Sequence, residues 1–205
     1  MTRTHVALAL ALFVLAALAA VAAHDLLSWR SALAHGDARL AAHPGLARWQ
    51  ASTLLPGDPA RAVLALDDDL TLRRAVRAFR VAEATPRGFD NGVAQTSSRS
   101  AAEVVLSDLA AHGSAAPASQ AGDLLGVLVA RGGRVIGGVT ADDRARAAFE
   151  AAIRRDPANE DAKYNLELLL RRTRATATRQ GPGSGSGTLG RGRRGAGSGT
   201  PGRGY

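Results

Sequence analysis

Apolar positions fall into two regimes along this chain. Residues 6–23 form an unbroken apolar run, half of it alanine and half larger side chains such as Leu8, Leu10, Leu12, Phe13, Leu15 and Leu18. From His24 onward apolar residues recur every three or four positions, the period of a helix. Residues 24–43 set Leu26, Trp29, Leu33 and Leu40 on one stripe, so a helix can continue directly out of the apolar run. Pro44-Gly45 and Leu55-Pro56-Gly57-Asp58-Pro59 supply turns. Asp58 is placed to cap, and Pro59 to open, a short helix near 60–66.

The same period predicts five further helices. One begins near Leu70, preceded by Asp67-Asp68-Asp69, whose charges suit a helix start. It turns Leu72, Ala75, Val76, Phe79 and Ala82 inward and Arg73, Arg74, Arg77 and Arg80 largely outward, and ends before Pro86. Residues 88–98 read as a loop containing Asn91-Gly92, and Ser100-Ala101-Ala102-Glu103 as a capping box that starts a helix to about Ala111. His112-Gly113 closes that helix, and Pro117 opens the next, through Leu124, Leu125, Val127 and Leu128 to Ala130. Residues 131–138 hold four glycines and read as a loop. Thr140 caps a helix to Arg155, and Pro157 or Asn159 opens a last one to Arg172.

In a helix the 6–23 run reaches ~27 Å, close to the ~30 Å of bilayer hydrocarbon, which makes it a single-pass signal anchor. Two other readings compete. Ala20-Val21-Ala22 has the small-x-small form of a secretory cleavage site, with Arg3 as a minimal charged flank, although the run exceeds the usual length of a cleaved signal. A buried helix of a soluble protein is the third. The first two put the following domain outside the cytoplasm. The flanking charges, Arg3 against Arg30, Arg39 and Arg48, argue only weakly about orientation.

The most specific spacing lies near the C-terminal end. Ala145, Phe149 and Ala152 fall at i, i+4 and i+7, and Pro157 follows. Small alanines admit a neighbouring helix, phenylalanine fills the angle between paired helices, and proline stops one helix and opens the next. Leu125-Gly126 with Val129 precedes this pattern, and Ala162-Lys163-Tyr164-Asn165-Leu166 follows it, with Glu167 where a small residue is expected. A fainter echo runs through Ala75, Phe79, Ala82 and Pro86. This segment resembles the tetratricopeptide repeat (TPR), with helix-A features at 125–129 and helix-B features at 145–157. The distance between the two exceeds that of the repeat, and residues 131–138 hold the excess. An ordinary helical hairpin built from alanine and proline is the alternative.

The whole layout resembles small actinobacterial-type membrane proteins with a TPR element, often encoded beside MoxR-type AAA ATPases and von Willebrand factor A-domain membrane proteins. The resemblance implies a protein-binding groove on the 120–172 helices and partners from such a MoxR/von Willebrand factor A system. It implies no catalysis.

Charge and composition sharpen this reading. The net charge of +8 is accounted for by eight arginines at or beyond Arg171, with no carboxylate side chain after Glu167, so residues 1–170 are formally neutral. There is no cysteine, which excludes disulfides, thiolate zinc sites and cysteine nucleophiles. Aromatics are 4% and Lys163 is the single lysine, so the core is built from Ala, Leu and Val. From position 173 onward Gly, Ser, Thr, Pro and Arg dominate, a composition that cannot offset the cost of ordering.

No pattern carries chemistry. His24, His35, His43 and His112 stand in no short metal-ligand spacing. The chain contains neither G-x-S-x-G nor a Walker A motif. Gly132 to Gly138 lacks the phosphate-loop lysine and follows a helix instead of a strand. We therefore expect no enzyme, cofactor, metal or catalytic residue.

The expected organisation is all-α: an N-terminal flank at 1–5, a transmembrane helix at 6–23, an irregular TPR-like helical domain at 24–172 and a disordered tail at 173–205. The expected function is a membrane-tethered adaptor in a bacterial envelope complex, its membrane lipid contacts made through 6–23. The alternative is a cationic binding protein for nucleic acid or anionic polymer, acting through the Arg/Gly-rich tail. An extracytoplasmic domain rarely meets nucleic acid, so that partner is not the expected one.

Overall fold

The structure, a computed structural model, describes residues 3–85, 92–132 and 137–179. The expected all-α class holds, with seven α-helices and no strand among the described residues. In order these are α1 (Arg3–Ala42), a 3-10 turn (Pro44–Leu46), α2 (Pro59–Val63), α3 (Leu66–Ala84), α4 (Gly92–His112), α5 (Ala115–Gly132), α6 (Ala141–Arg155) and α7 (Glu160–Arg179). The chain divides into two units, one ending at Leu169 and the other beginning at Leu170.

The apolar run and the 24–43 stripe are one uninterrupted helix of 40 residues. Its apolar part is long enough to cross a membrane, and none of it is buried against the protein. Among the described residues no apolar face covers Leu8, Leu10, Phe13 or Leu15, unlike the buried helix of a soluble core. The second half of α1 is clothed by a strap, residues 47–58. In the strap Ala47 and Trp49 are buried while Arg48, Gln50, Ser52 and Leu54 are exposed, the alternation of an extended segment. Trp29, Ala47, Trp49, Ala60, Leu66 and Leu70 form the core beneath it.

Carboxylates on α1 and in the strap fix this arrangement. Asp25, fully buried, accepts the backbone N–H of Leu54 at 2.7 Å and of Leu55 at 3.0 Å. Trp29 Nε1 donates to Asp58, and Trp49 Nε1 to Asp37. Gly36 lies flat against the Trp49 indole, where a Cβ would overlap the ring. Asp58 also caps α2 through the N–H of Arg61, with Pro59 at the first helical position.

Beyond the strap, successive helices pack side by side. Ala75, Phe79 and Ala82 of α3, Ala102, Leu106 and Leu109 of α4, and Ala121 and Leu128 of α5 form one core. Val129 of α5, Ala141, Ala145 and Phe149 of α6, and Leu169 of α7 form another. An ionic junction closes one end of α3–α5. There Arg131 pairs with Glu83, Arg99 stands 4.0 Å from the same carboxylate, and Arg99 also donates to the carbonyl of Leu128.

Several boundaries differ from expectation. α4 begins at Gly92, so Ser100 and Glu103 lie inside it and form no capping box. Ser97 and Ser98 fit this helix because their hydroxyls donate to the carbonyls of Ala94 and Gln95 one turn back. Within the 88–98 segment read as a loop, only 88–91 lie outside the described residues. α3 starts at Leu66, placing Asp67, Asp68 and Asp69 in its first turn without a side-chain cap. Arg73 and Arg77 do not simply face solvent. Arg73 pairs with Asp37 and Asp69, and Arg77 donates to the carbonyls of Pro44 and Gly45, which ties α3 to the end of α1. α5 opens at Ala115, with Pro117 in its first turn, and continues to Gly132.

At the other end of the chain, α6 is capped by Thr140 and runs to Arg155 as expected. Asn159, not Pro157, caps α7 by accepting the N–H of Ala162 at 3.0 Å. α7 runs past Arg172 to Arg179, so the start of the segment read as tail is helical. In this last stretch Thr173, Thr176 and Thr178 donate to carbonyls of the preceding turn. Residues 180–205 lie outside the described residues.

Candidate functional site

The expected binding surface lay on the 120–172 helices, and the hairpin of α5 and α6 is its foundation. Ala145, Phe149 and Ala152 are all buried, so the spacing that carries the TPR resemblance faces inward. Phe149 rests on Gly126, where a Cβ would come within 2.5 Å of the ring. Gly122 faces Ala152 at 3.2 Å from where its own Cβ would stand. Two glycines on one face of α5 thus let α6 approach closely.

A polar latch holds the same helices to the start of α7. Ser119, fully buried, donates to the Ala152 carbonyl at 2.8 Å and accepts from the Asn159 amide at 2.8 Å. One turn along α5, Asp123 accepts from the Asn165 amide at 2.9 Å. Burial pushes the Asp123 carboxyl above the usual carboxylate range. The Asn165 hydrogen bond opposes that shift and the nearby charge of Asp161 adds to it.

Residues of α5 floor two separate depressions between α4 and α6. Their volumes are about 210 and 350 Å³. Ala118 and Gly122 form the floor of the first, Leu125 and Val129 that of the second. Glu103, Ser107 and Ala110 of α4, at successive turns, make one wall. The α6 wall runs from Arg144 through Ala148 and Ala151 to Arg155. Arg144 pairs with Glu103, and Arg155 donates to the Ala111 carbonyl, so α4 and α6 are linked beside each depression.

Both depressions are shallow and lined mainly by apolar side chains, with Arg154 and Arg155 in one and Glu103 and Arg144 in the other. Such a pair accepts the side chains of an amphipathic helix laid along α5. Among the described residues no group of three or more His, Asp or Glu side chains converges. His24 and His35 lie on α1, and His112 lies at the end of α4 beside Asp108. Gly137 and Gly138 make a left-handed turn before α6, and the remainder of the 131–138 segment, 133–136, lies outside the described residues.

The sequence read Glu103, Ser107 and Ala110 as helical, but which helix lies beside α5 is a tertiary fact that it did not give. A signal for part of the floor was present in the four-residue spacing of the small residues Ala118 and Gly122. Comparison with protein-family models, with characterised proteins and with solved structures finds no match for this chain.

Proposed function

We propose that this chain is a membrane-tethered docking protein with no catalysis of its own. The apolar half of α1 holds it in a bilayer, with the helical domain on the extracytoplasmic side. The groove over α5 receives a helical segment of a partner in an envelope complex. The observation that carries the reading is the pair of mainly apolar depressions along α5, with α4 and α6 linked beside each. A braced surface lets a partner dock without first ordering its receptor. The spacing of Ala145, Phe149, Ala152 and Pro157 supports a TPR-like ancestry for the hairpin, and the layout supports a partner from a MoxR or von Willebrand factor A-type membrane system.

The test is photocrosslinking in intact cells. A photoreactive residue at Ser107 is expected to capture one discrete protein. Ala148→Trp, which fills the larger depression, should lower that capture on the order of tenfold. Deletion of 180–205 should leave it unchanged. Capture that survives Ala148→Trp but disappears with the tail deletion overturns the groove and favours the cationic tail as the binding element.

A further inference from the structure

A second groove, of about 550 Å³, lies on the far side of the strap between its exposed edge and α1. Along α1 it is lined by His24, Ser28, Ser31, His35 and Arg39, spaced four, three, four and four residues apart on one helical face. Along the strap it is lined by Arg48, Gln50 and Ser52, the alternate residues whose neighbours Ala47, Trp49 and Ala51 pack inward. No carboxylate lines it. The acidic residues of this part of α1 are committed elsewhere, Asp25 to two strap amides and Asp37 to Trp49 and Arg73. Neither Arg39 nor Arg48 makes an ion pair among the described residues.

The groove has a fixed height above the apolar run. His24 is the first residue after it, and Ser52 is held level with Ser28 by its N–H, which donates to the Ser28 hydroxyl at 2.9 Å. Leu27, exposed at the groove's foot, continues the apolar surface upward. Trp49 bonded to Asp37 sets Arg48 beside Arg39 at the other end. At 1.5 Å per residue, Arg39 stands about 22 Å above His24. The headgroup zone of a bilayer is only about 5–7 Å thick on each side. The lining therefore runs from apolar foot, through hydroxyl and imidazole, to a cationic top.

We propose that this groove binds the headgroup of an anionic glycolipid, its hydrocarbon lying against the apolar half of α1. The sugar hydroxyls meet Ser28, Ser31, His35, Gln50 and Ser52, and the acidic group meets Arg39 and Arg48. A short anionic phospholipid leaves the two arginines unreached. A groove of this volume accommodates a small oligosaccharide, since ligand sites span ~300–1,000 Å³. The proposal rests on α1 lying in a bilayer, and the two ideas fail separately. Release of the chain from membranes by alkaline carbonate would refute the tether. The following assay is done in detergent and decides the groove alone.

Full-length protein is titrated with monosialoganglioside, with its desialylated form and with phosphatidylglycerol, and bound lipid is counted by native mass spectrometry. Monosialoganglioside, whose carboxylate is carried on the sugar chain away from the ceramide, is expected to bind tightest. Arg39→Ala and Arg48→Ala should each weaken it about fivefold and leave the desialylated lipid unaffected. Arg191→Ala/Arg193→Ala/Arg194→Ala, which removes charge from the tail, should change nothing. Circular dichroism of each variant checks that α1 and the strap remain folded, and Arg39→Lys and Arg48→Lys should restore most of the affinity. Equal binding of the sialylated and desialylated lipids overturns the proposal. So does phosphatidylglycerol binding as tightly as the ganglioside, or ganglioside binding lost only with the tail arginines.

Discussion

At the scale of single residues, the packing of α5 rests on two atoms' worth of space and one misplaced charge. Gly126 has room for hydrogen only, because Phe149 occupies the position of its Cβ. Gly126→Ala should destabilise the protein by roughly 1–3 kcal/mol, read from urea denaturation in detergent, and Phe149→Leu in the same chain should recover part of the loss. An unchanged midpoint would mean that Phe149 does not seat on this glycine. Asp123 is the misplaced charge. Its carboxyl is raised by burial, so ionisation costs more in the folded chain than in the unfolded one. Below the unfolded value of about 3.9 the group is protonated in both states and the penalty vanishes. As pH rises from there through the raised folded value, the penalty grows to its full size. Asp123→Asn keeps an acceptor for Asn165 and carries no charge. It should therefore be more stable than the native chain at neutral pH, with the difference closing in acid. A native chain that loses its relative stability on acidification would contradict the sign.

At the scale of elements, the strap is the feature least expected from the sequence, and Asp25 holds it. Nothing in the helical period distinguishes residues 47–58 from an ordinary linker, because an extended segment bonded to carboxylates far back in the chain has no local signature. Asp25→Ala leaves the amides of Leu54 and Leu55 without partners and should cost about 1–3 kcal/mol. Hydrogen exchange at those two amides should accelerate more than at Trp49, and uniform acceleration would indicate a global effect instead. The helices proper were far more legible. Asp58 with Pro59, and Thr140, are caps readable from sequence and present in the structure. The buried set Ala75, Phe79, Ala82, Ala145, Phe149 and Ala152 follows from period alone. The start of α4 was misread because Asn91-Gly92 signals a turn and Ser100 to Glu103 has the form of a capping box, whereas Ser97 and Ser98 bond within the helix. The groove was half legible. Part of its α5 floor and its α6 wall follow from small-residue spacing, whereas its α4 wall depends on which helix lies beside α5, and that is a tertiary fact.

At the scale of the molecule, the decisive feature is that α1 has no break between its apolar half and its strapped half. A jointed linker would let the domain swing freely, but a continuous helix fixes which side of the domain faces a membrane neighbour. Each inserted residue turns everything beyond it by about 100° and raises it about 1.5 Å. Two alanines inserted after Ala23 turn the domain by about 200°, whereas four complete slightly more than one turn and leave it roughly 40° from its original heading. Alanine preserves the helix, so stability and membrane retention should be unchanged in both variants. A partner that is itself fixed in the bilayer can reach the α5 groove only from one direction, and the effective concentration of docking collapses when geometry forbids the approach. Photocrosslinking from Ser107 should therefore fall on the order of tenfold with two alanines and return with four. The height gained differs by only about 3 Å between the two variants, too little to account for such a reversal. Equal capture in both would mean that the partner arrives from solution and that the groove's heading carries no information, leaving α1 as a tether alone.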